Sequence, residues 1–301
     1  MPDQPHYRGR FAPSPTGPLH FGSIITAVAS YADARAHQGE WLLRIEDVDE
    51  PRTVPGSADD ILRTLEALGF EWSGDVLYQT QRKEAYLDAM QQLAQKNLVY
   101  RCTCSRSELQ TISESGIYPG VCMNKNHPEH IEHAVRLRIE NKHIEFNDKV
   151  MGVYGQNLQT EVGDFVIRRR DGLFAYQLAV VVDDAYQGVT HIVRGSDLLD
   201  STPRQIYLQQ CLNYNTPEYL HLPLAINNDG EKLSKQTYAP HIKTDSAVLF
   251  DALNFLGQQA PAELEHESCE TIWQWAIANW YREQIPKANL RPPADYMLPT
   301  R

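Results

Sequence analysis

The chain has 301 residues, of which 42% are hydrophobic and 22% charged, with a formal net charge of −11. It is long enough to bury a sizeable core as one large domain or two modest ones, and it has neither a long apolar run nor a signal-peptide core, so export and membrane spans are not indicated and a cytoplasmic location is expected. An acidic chain has no general electrostatic affinity for nucleic acid, so any RNA contact has to use a local basic patch.

Residues Arg10 to Ser23 run from a short apolar entry through a turn holding Pro13, Pro15, Gly17 and Pro18, and His20-Phe-Gly-Ser23 then opens a helical pattern. This predicts a strand, a tight loop and a helix. Such a junction binds phosphates in doubly wound folds, because first-turn N–H groups lack intrahelical partners and the helix dipole favours an anion. His20 and Ser23 are placed to face that anion. The helix is expected from Gly22 to about His37 with Gly39 as its terminator, followed by a buried strand, Trp41–Ile45. Glu46-Asp47-Val48-Asp49-Glu50 then puts acid at the carboxyl end of a strand, where open α/β sheets bind ligands, although acidic loops are also common.

Ser57 is expected to cap a helix carrying Ile61, Leu62, Leu65 and Leu68 on one face, and Thr80 to Asn97 repeats the device. Between Arg101 and Gly163 the pattern breaks into short polar pieces with glycines, three cysteines and four histidines, which reads as an inserted subdomain. Phe165-Val-Ile167, Ala175–Leu178 and Ala179–Val182, closed by Asp183-Asp184, read as the return of a parallel sheet. A helix is expected over Leu198–Leu212 and a strand over Leu220–Ile226 that Pro223 weakens. The turn Asn227–Gly230 leads into Lys232-Leu-Ser-Lys235. Two last helices are expected at Ser246–Leu256 and Ser268–Arg282, with Ser268 as an N-cap.

Cys102, Cys104 and Cys122 offer three soft ligands, one short of tetrahedral zinc. Tyr118 lies four residues before Cys122 and His127 five after it; composition alone favours His127, and three unliganded thiols are the alternative. A closed four-ligand site would be structural. Cys211 and Cys269 read as small buried hydrophobes. Arg168-Arg-Arg170, with Arg101 and Arg106, has two readings, a phosphate-contacting patch or a solvated face.

His20-Phe-Gly-Ser23 and Lys232-Leu-Ser-Lys235 together resemble the two signatures of the class I aminoacyl-tRNA synthetases. Phe11–His20, Leu43-Arg-Ile-Glu-Asp47, Asp171–Tyr176 and Ile192–Asp197 narrow the resemblance to the glutamyl branch, over residues 8–240; Ser23 stands where the wider family has a second histidine. The resemblance implies an α/β fold with a Rossmann-like parallel sheet in two halves, 1–100 and 164–240. It also implies a zinc-binding insertion, 101–163, and a helical stem-contact-like region, 241–301, without an anticodon-binding domain.

Activating a carboxylate with ATP passes through a pentavalent α-phosphate with extra negative charge, which fixed cations and N–H donors stabilise. Lys235, supported by Lys232, is expected to neutralise departing pyrophosphate, while His20, Gly22 and Ser23 hold the triphosphate, with Mg²⁺ as companion of ATP. Glutamate presents two carboxylates and an ammonium, so Arg10 and Arg194 are candidate cations, Glu46 the candidate anion and Tyr176 a hydroxyl contact. The resemblance assigns the glutamate site to Arg10, Phe11, Ala12, Pro13, Ser14, Glu46, Tyr176 and Arg194. Similarity to short tRNA-modifying paralogues of the branch implies Tyr118 as the fourth zinc ligand.

Only residues 237–301, 65 in number, follow Gln236. With the resemblance, this implies an enzyme that activates L-glutamate without tRNA and transfers it to queuosine in the anticodon of tRNA(Asp). A minimal synthetase charging a tRNA 3′ end and an inactive tRNA-binding paralogue are the alternatives. A monomer is expected.

Overall fold

The computed structural model describes residues 6–113, 116–233 and 245–297. Lys235 lies outside these residues.

Strand β1 (Arg8–Phe11) leads through the proline-rich loop into helix α1 (Phe21–Ala36) and back to β2 (Glu40–Ile45), which pairs with β1 in parallel, Arg8 opposite Glu40 and Phe11 opposite Leu43. Alanine and small residues let α1 lie close against the sheet, and Ala27 to Ala34 are buried without a break. Gly39 is not the helix terminator. Gln38 takes the left-handed conformation (φ 54°), and Gly39 is needed because a Cβ there would stand 2.5 Å from the Tyr7 carbonyl oxygen.

Helix α2 (Ser57–Ala67) is capped by Gly56 and not by Ser57. The Ser57 hydroxyl instead accepts from Gly17 N and donates to Gly17 O, tying the helix start to the opening loop. The short β3 (Leu77–Tyr78) extends the parallel sheet beside β2, and α3 (Lys83–Gln95) follows. Thr80 makes no cap either, because its N–H and hydroxyl both go to the Asp47 carboxylate.

The next segment holds β4 (Val99–Cys102), α4 (Arg106–Ile112), β5 (Ala134–Leu137), β6 (His143–Asp148), β7 (Gly152–Asn157), α5 (Leu158–Glu161) and β8 (Phe165–Arg168). Strands β4, β5 and β8 form an antiparallel sheet, so Phe165–Ile167 does not rejoin the parallel sheet as expected. Alternation in sequence specifies a half-buried strand but not its partner.

Ala175–Asp184, expected as strand, is also corrected: it forms α6 (Tyr176–Tyr186). Leu178 to Asp184 are all buried, so the run is apolar because the helix is covered on every side, and tertiary packing overrides the β-branched propensity of its three valines. The parallel sheet resumes with β9 (His191–Gly195), crosses over through α7 (Thr202–Leu212), and ends with β10 (Glu218–Leu222), just before Pro223.

Strands β1-β2-β3 and β9-β10 form two parallel sheets, and Thr190 N, donating to Arg8 O at 2.9 Å, sets β9 beside β1, so the strands lie in the spatial order β3-β2-β1-β9-β10. The chain leaves β1 toward β2 on one side and reaches β9 on the other, so the order reverses between β1 and β9. A crevice at the carboxyl ends of those strands is where such a sheet binds ligands. The β6–β7 hairpin lies against β10, with Lys149 N donating to Tyr219 O.

Helices α8 (Ala247–Phe255) and α9 (Cys269–Ala278) share one core with α1, β1 and β2. Ser268 accepts from Thr271 N as expected of an N-cap. Buried Asp33 on α1 accepts from Tyr7, Trp280 and Arg282 and so fastens the segment after α9 to the sheet. Among the described residues, no helix is long and apolar enough to cross a membrane.

Candidate active site and cysteine cluster

A cleft of about 620 Å³ opens at the carboxyl ends of β1 and β9, where the topology predicts it. Its walls bring together Arg10, Phe11, Ala12, Pro13 and Ser14 from the end of β1, His20, Gly22 and Ser23 from the start of α1, and Glu46 from the end of β2. Tyr176 of α6, Arg194 of β9 and Lys232 complete it. Every residue expected in the glutamate and ATP sites that falls within the described residues therefore lines one cavity.

His20 is the N-cap of α1. Its Nδ1 accepts from Ser23 N at 3.3 Å, and its carbonyl accepts from Ser23 and Ile24. The Ser23 amide is thus turned toward His20, while Ser23 itself lines the cleft. The reason is local, since an N-cap side chain competes for the same orphan donors that a phosphate would use. Gly22 makes room for the ring: a Cβ at this position would lie 3.0 Å from His20 Cε1.

On the amino-acid side the cations differ. Arg10 is buried and donates through Nε to Asp184 Oδ1 at 3.1 Å, the same oxygen that Arg44 reaches at 2.8 Å. Arg44 also touches Glu46 at 3.3 Å. Burial pushes the Glu46 carboxyl up, and Arg44 and Arg10 oppose this without cancelling it. Burial also pushes Asp184 up, but there the two arginines prevail and hold it below its ordinary value. Asp184 and Arg44 are buried partners of the cleft residues Arg10 and Glu46 that the sequence did not single out. The visible signal was the pair Asp183-Asp184 inside an apolar helix, because buried acids require partners.

Arg194 is buried too, yet all of its partners among the described residues are neutral: His221 Nε2 at 3.0 Å, Gln205 Oε1 at 2.8 Å, Thr202 Oγ1 at 2.7 Å, and Tyr176 OH and Leu198 O at 3.4 Å. A buried guanidinium beside a cleft with no carboxylate on it keeps its charge uncompensated within the protein, which is the condition under which an anion is bound. Lys232 is held by Asp197, another unpredicted neighbour, at 2.5 Å on the cleft wall.

The cysteine cluster lies apart, at the end of β4. The three thiol sulfurs of Cys102, Cys104 and Cys122 are within 4.8 Å of one another, and Cys104 and Cys122 are 3.5 Å apart. Tyr118 OH is 3.4 Å from Cys102 Sγ and 3.6 Å from Cys104 Sγ. Zinc bonded to thiolates at about 2.3 Å and oxygen at about 2.0 Å demands S···S near 3.8 Å and S···O near 3.5 Å in a tetrahedron. The donor set fits that geometry. Among the described residues His127 is outside the group whose ligand atoms all lie within 4.8 Å of one another, although its side chain hydrogen-bonds the Cys122 thiol; its Nε2 faces Thr103 Oγ1 at 3.4 Å.

Of the basic run, Arg169 pairs with Asp49 and Asp171, Arg170 donates to the Thr103 carbonyl, and Arg168 reaches Gly172 O.

Residues 6–248 match the model of the catalytic domain of class I tRNA synthetases of the E and Q type, and the chain belongs to this family. It is 54% identical over 292 residues, 94% of this chain and 97% of its relative, to the glutamyl-Q tRNA(Asp) synthetase of Dechloromonas aromatica (strain RCB). It is 51% identical to the enzyme of that name from Pseudomonas aeruginosa strain PAO1, over 95% of this chain and 97% of the relative. Among solved structures it is similar to the glutamate-tRNA synthetase of Elizabethkingia anophelis, with a TM-score of 0.78 and 25% identity, covering 97% of this chain and 69% of that one.

Proposed function

We propose that this chain is an ATP-dependent ligase that activates L-glutamate without tRNA and transfers it to queuosine in the anticodon of tRNA(Asp). The observation that carries the reading is the buried Arg194, with no carboxylate partner among the described residues, in the same cleft as Arg10, Glu46 and the His20 turn. Identity above 50% to glutamyl-Q tRNA(Asp) synthetases over nearly the whole chain supports the same substrates.

In the first step the α-carboxylate of glutamate attacks the α-phosphorus of ATP, a P–O bond forms, and the bond to pyrophosphate breaks. Arg194 with Tyr176 binds the side-chain carboxylate, Arg10 steadies the other end of the amino acid, and Glu46 takes the ammonium with the acceptor capacity that Arg44 leaves it. His20 and the glycine turn hold the triphosphate, and Lys232 and Lys235 neutralise the charge that leaves. Mg²⁺ accompanies ATP and shields its phosphates. In the second step a hydroxyl of the cyclopentene-diol attacks the carbonyl carbon of the adenylate, AMP leaves, and the hydroxyl proton passes to solvent.

Cys102, Cys104, Tyr118 and Cys122 would hold one structural zinc, tying the end of β4 to the loop that follows α4. A tRNA substrate implies a cytoplasmic location.

Glutamate-dependent ATP–pyrophosphate exchange without tRNA tests the first step, and its absence would sink the proposal. Labelled glutamate with tRNA(Asp), with and without queuosine, tests the second. Label confined to the queuosine-containing tRNA supports transfer to the base; equal labelling indicates charging of the 3′ end.

A further inference from the structure

Behind Arg194, on the side away from the cleft, lies a buried histidine that the proposed mechanism leaves without a task. His221 sits in β10 with no solvent exposure, opposite Arg194 in the β9–β10 register. Its Nε2 accepts from Arg194 Nε at 3.0 Å, and Thr202 Oγ1 lies 3.2 Å from the same nitrogen. Its Nδ1 is 2.6 Å from Asp148 Oδ2.

The tautomer follows from these contacts. Arg194 can only donate, so Nε2 must carry a lone pair, and the ring proton is on Nδ1, donated to Asp148. Asp148 in turn accepts from the amides of Val150, Met151 and His221. Burial pushes its carboxyl up, but the bond to the His221 ring, aided by the Met151 and His221 amides, prevails and holds it below its ordinary value. The β6–β7 hairpin thereby presents one fully bonded anion to the back of the catalytic sheet.

The front of Arg194 differs from its back. His221 and Thr202 close the Nε side of the guanidinium at 3.0 and 2.7 Å. Its two longest contacts, both 3.4 Å, go to Tyr176 and Leu198, which line the cleft as Arg194 does; His221 and Thr202 do not. Nη1 and Nη2 each spend one N–H on a short buried bond, to Gln205 at 2.8 Å and Thr202 at 2.7 Å, and it is their second, longer contacts that lie nearest an incoming carboxylate.

We propose that Asp148 and His221 are positioning residues that aim Arg194 at the side-chain carboxylate of the amino acid, and that binding of this carboxylate fails when Nε2 of His221 takes up a proton. A proton there would set N–H against N–H and one buried cation against another. The groups facing His221 are Asp148 from β6, Arg194 from β9, Asp197 after β9, Tyr219 from its own strand and Thr202 from α7. Burial and Arg194 resist protonation, while Asp148 and Asp197 favour it, with burial dominant. The inference rests on the glutamate-activating reading above.

The test is ATP–pyrophosphate exchange by the full chain, with KM measured separately for glutamate and ATP. H221A should raise KM for glutamate by about ten- to hundredfold, the worth of a hydrogen bond to a charged group, and leave KM for ATP unchanged. H221Q, which returns an acceptor near Nε2, should recover most of the loss. It should also abolish the rise in KM for glutamate that the wild type shows on acidification below the ordinary imidazole range, since burial holds His221 below it. A folded H221A with wild-type KM for glutamate, or an acid rise shared by wild type and H221Q, overturns the proposal.

If H221A does not fold, the ¹⁵N shifts of His221 in the wild type decide. An unprotonated Nε2 at neutral pH supports the proposal and a protonated one overturns it. A wild type inactive with glutamate would refute the functional reading instead, a failure visible before any variant is made.

Discussion

Arg10 and Arg44 bind a single oxygen of Asp184, at 3.1 and 2.8 Å, although Asp184 lies 174 residues from Arg10 in the chain. All three side chains are essentially buried. Arg10 lines the cleft and Arg44, behind it, touches Glu46, so the anion that joins the two guanidiniums bears on both stability and substrate position.

Replacing Asp184 by Asn leaves two buried cations short of their counterion. Unfolding in urea should show a loss of about 3–5 kcal/mol, the range for breaking a buried pair, and KM for glutamate should rise as Arg10 loses its anchor. Asp184 is held below its ordinary value, so its ionised form stabilises the fold fully above the unfolded pKa of about 3.9, and this contribution is lost as pH falls through the lower folded value. The stability gap between wild type and variant should be constant from neutral pH down to about pH 4 and close only below it.

Gly22→Ala separates stability from function. Alanine favours the helix by about 0.5–1 kcal/mol, so the melting temperature should hold or rise. Its Cβ would press within 3.0–3.1 Å of the His20 ring, which must shift. The expected result is a fall in kcat/KM for ATP of about tenfold with KM for glutamate little changed. A variant that is both as stable and as active as wild type removes His20 from the triphosphate site.

Lys235→Ala should slow activation by roughly 10²–10³, the scale for one donor to the transition state. Lys232→Ala should cost less, because Asp197 at 2.5 Å already engages that ammonium in the absence of ATP. Steady-state exchange rates at saturating substrates measure both, and near-normal activation by Lys235→Ala refutes its role.

Metal analysis should find about one zinc per chain, released by a strong chelator with loss of ordered structure in the insertion. Tyr118→Phe keeps the ring over Arg136, which it meets at 3.8 Å, and removes only the oxygen. Competition with a chelating dye should then show weaker zinc binding, whereas His127→Ala should bind as wild type does. The reverse pattern would transfer the fourth position to His127.

The strand–loop–helix entry, the acid after β2 and the Ser268 cap were legible because each is a local rule acting within a few residues, whereas the strand expected over Leu220–Ile226 runs Glu218–Leu222 and stops before Pro223. Ser57 and Thr80 misled because a hydroxyl able to cap can also bind a loop or a distant acid, as Gly17 and Asp47 show. The buried α6 looked like strand because burial on all sides erases the period that distinguishes the two. Strand β8 was seen as a strand but given the wrong sheet, since a strand does not name its neighbour.

What the sequence determined by itself was the inventory of chemistry: a strand–turn–helix entry with His20 at its corner, cations at Arg10 and Arg194, an anion at Glu46, and three thiols with a nearby phenol. Which of those groups is satisfied within the protein and which is left for a ligand was decided only by the tertiary structure. Arg10 and Arg194 read alike in the chain, yet one meets a carboxylate and the other a neutral imidazole held by Asp148 from 73 residues away. Burial makes that difference decisive, because a charge removed from water has to find its counterion in the fold or in the substrate.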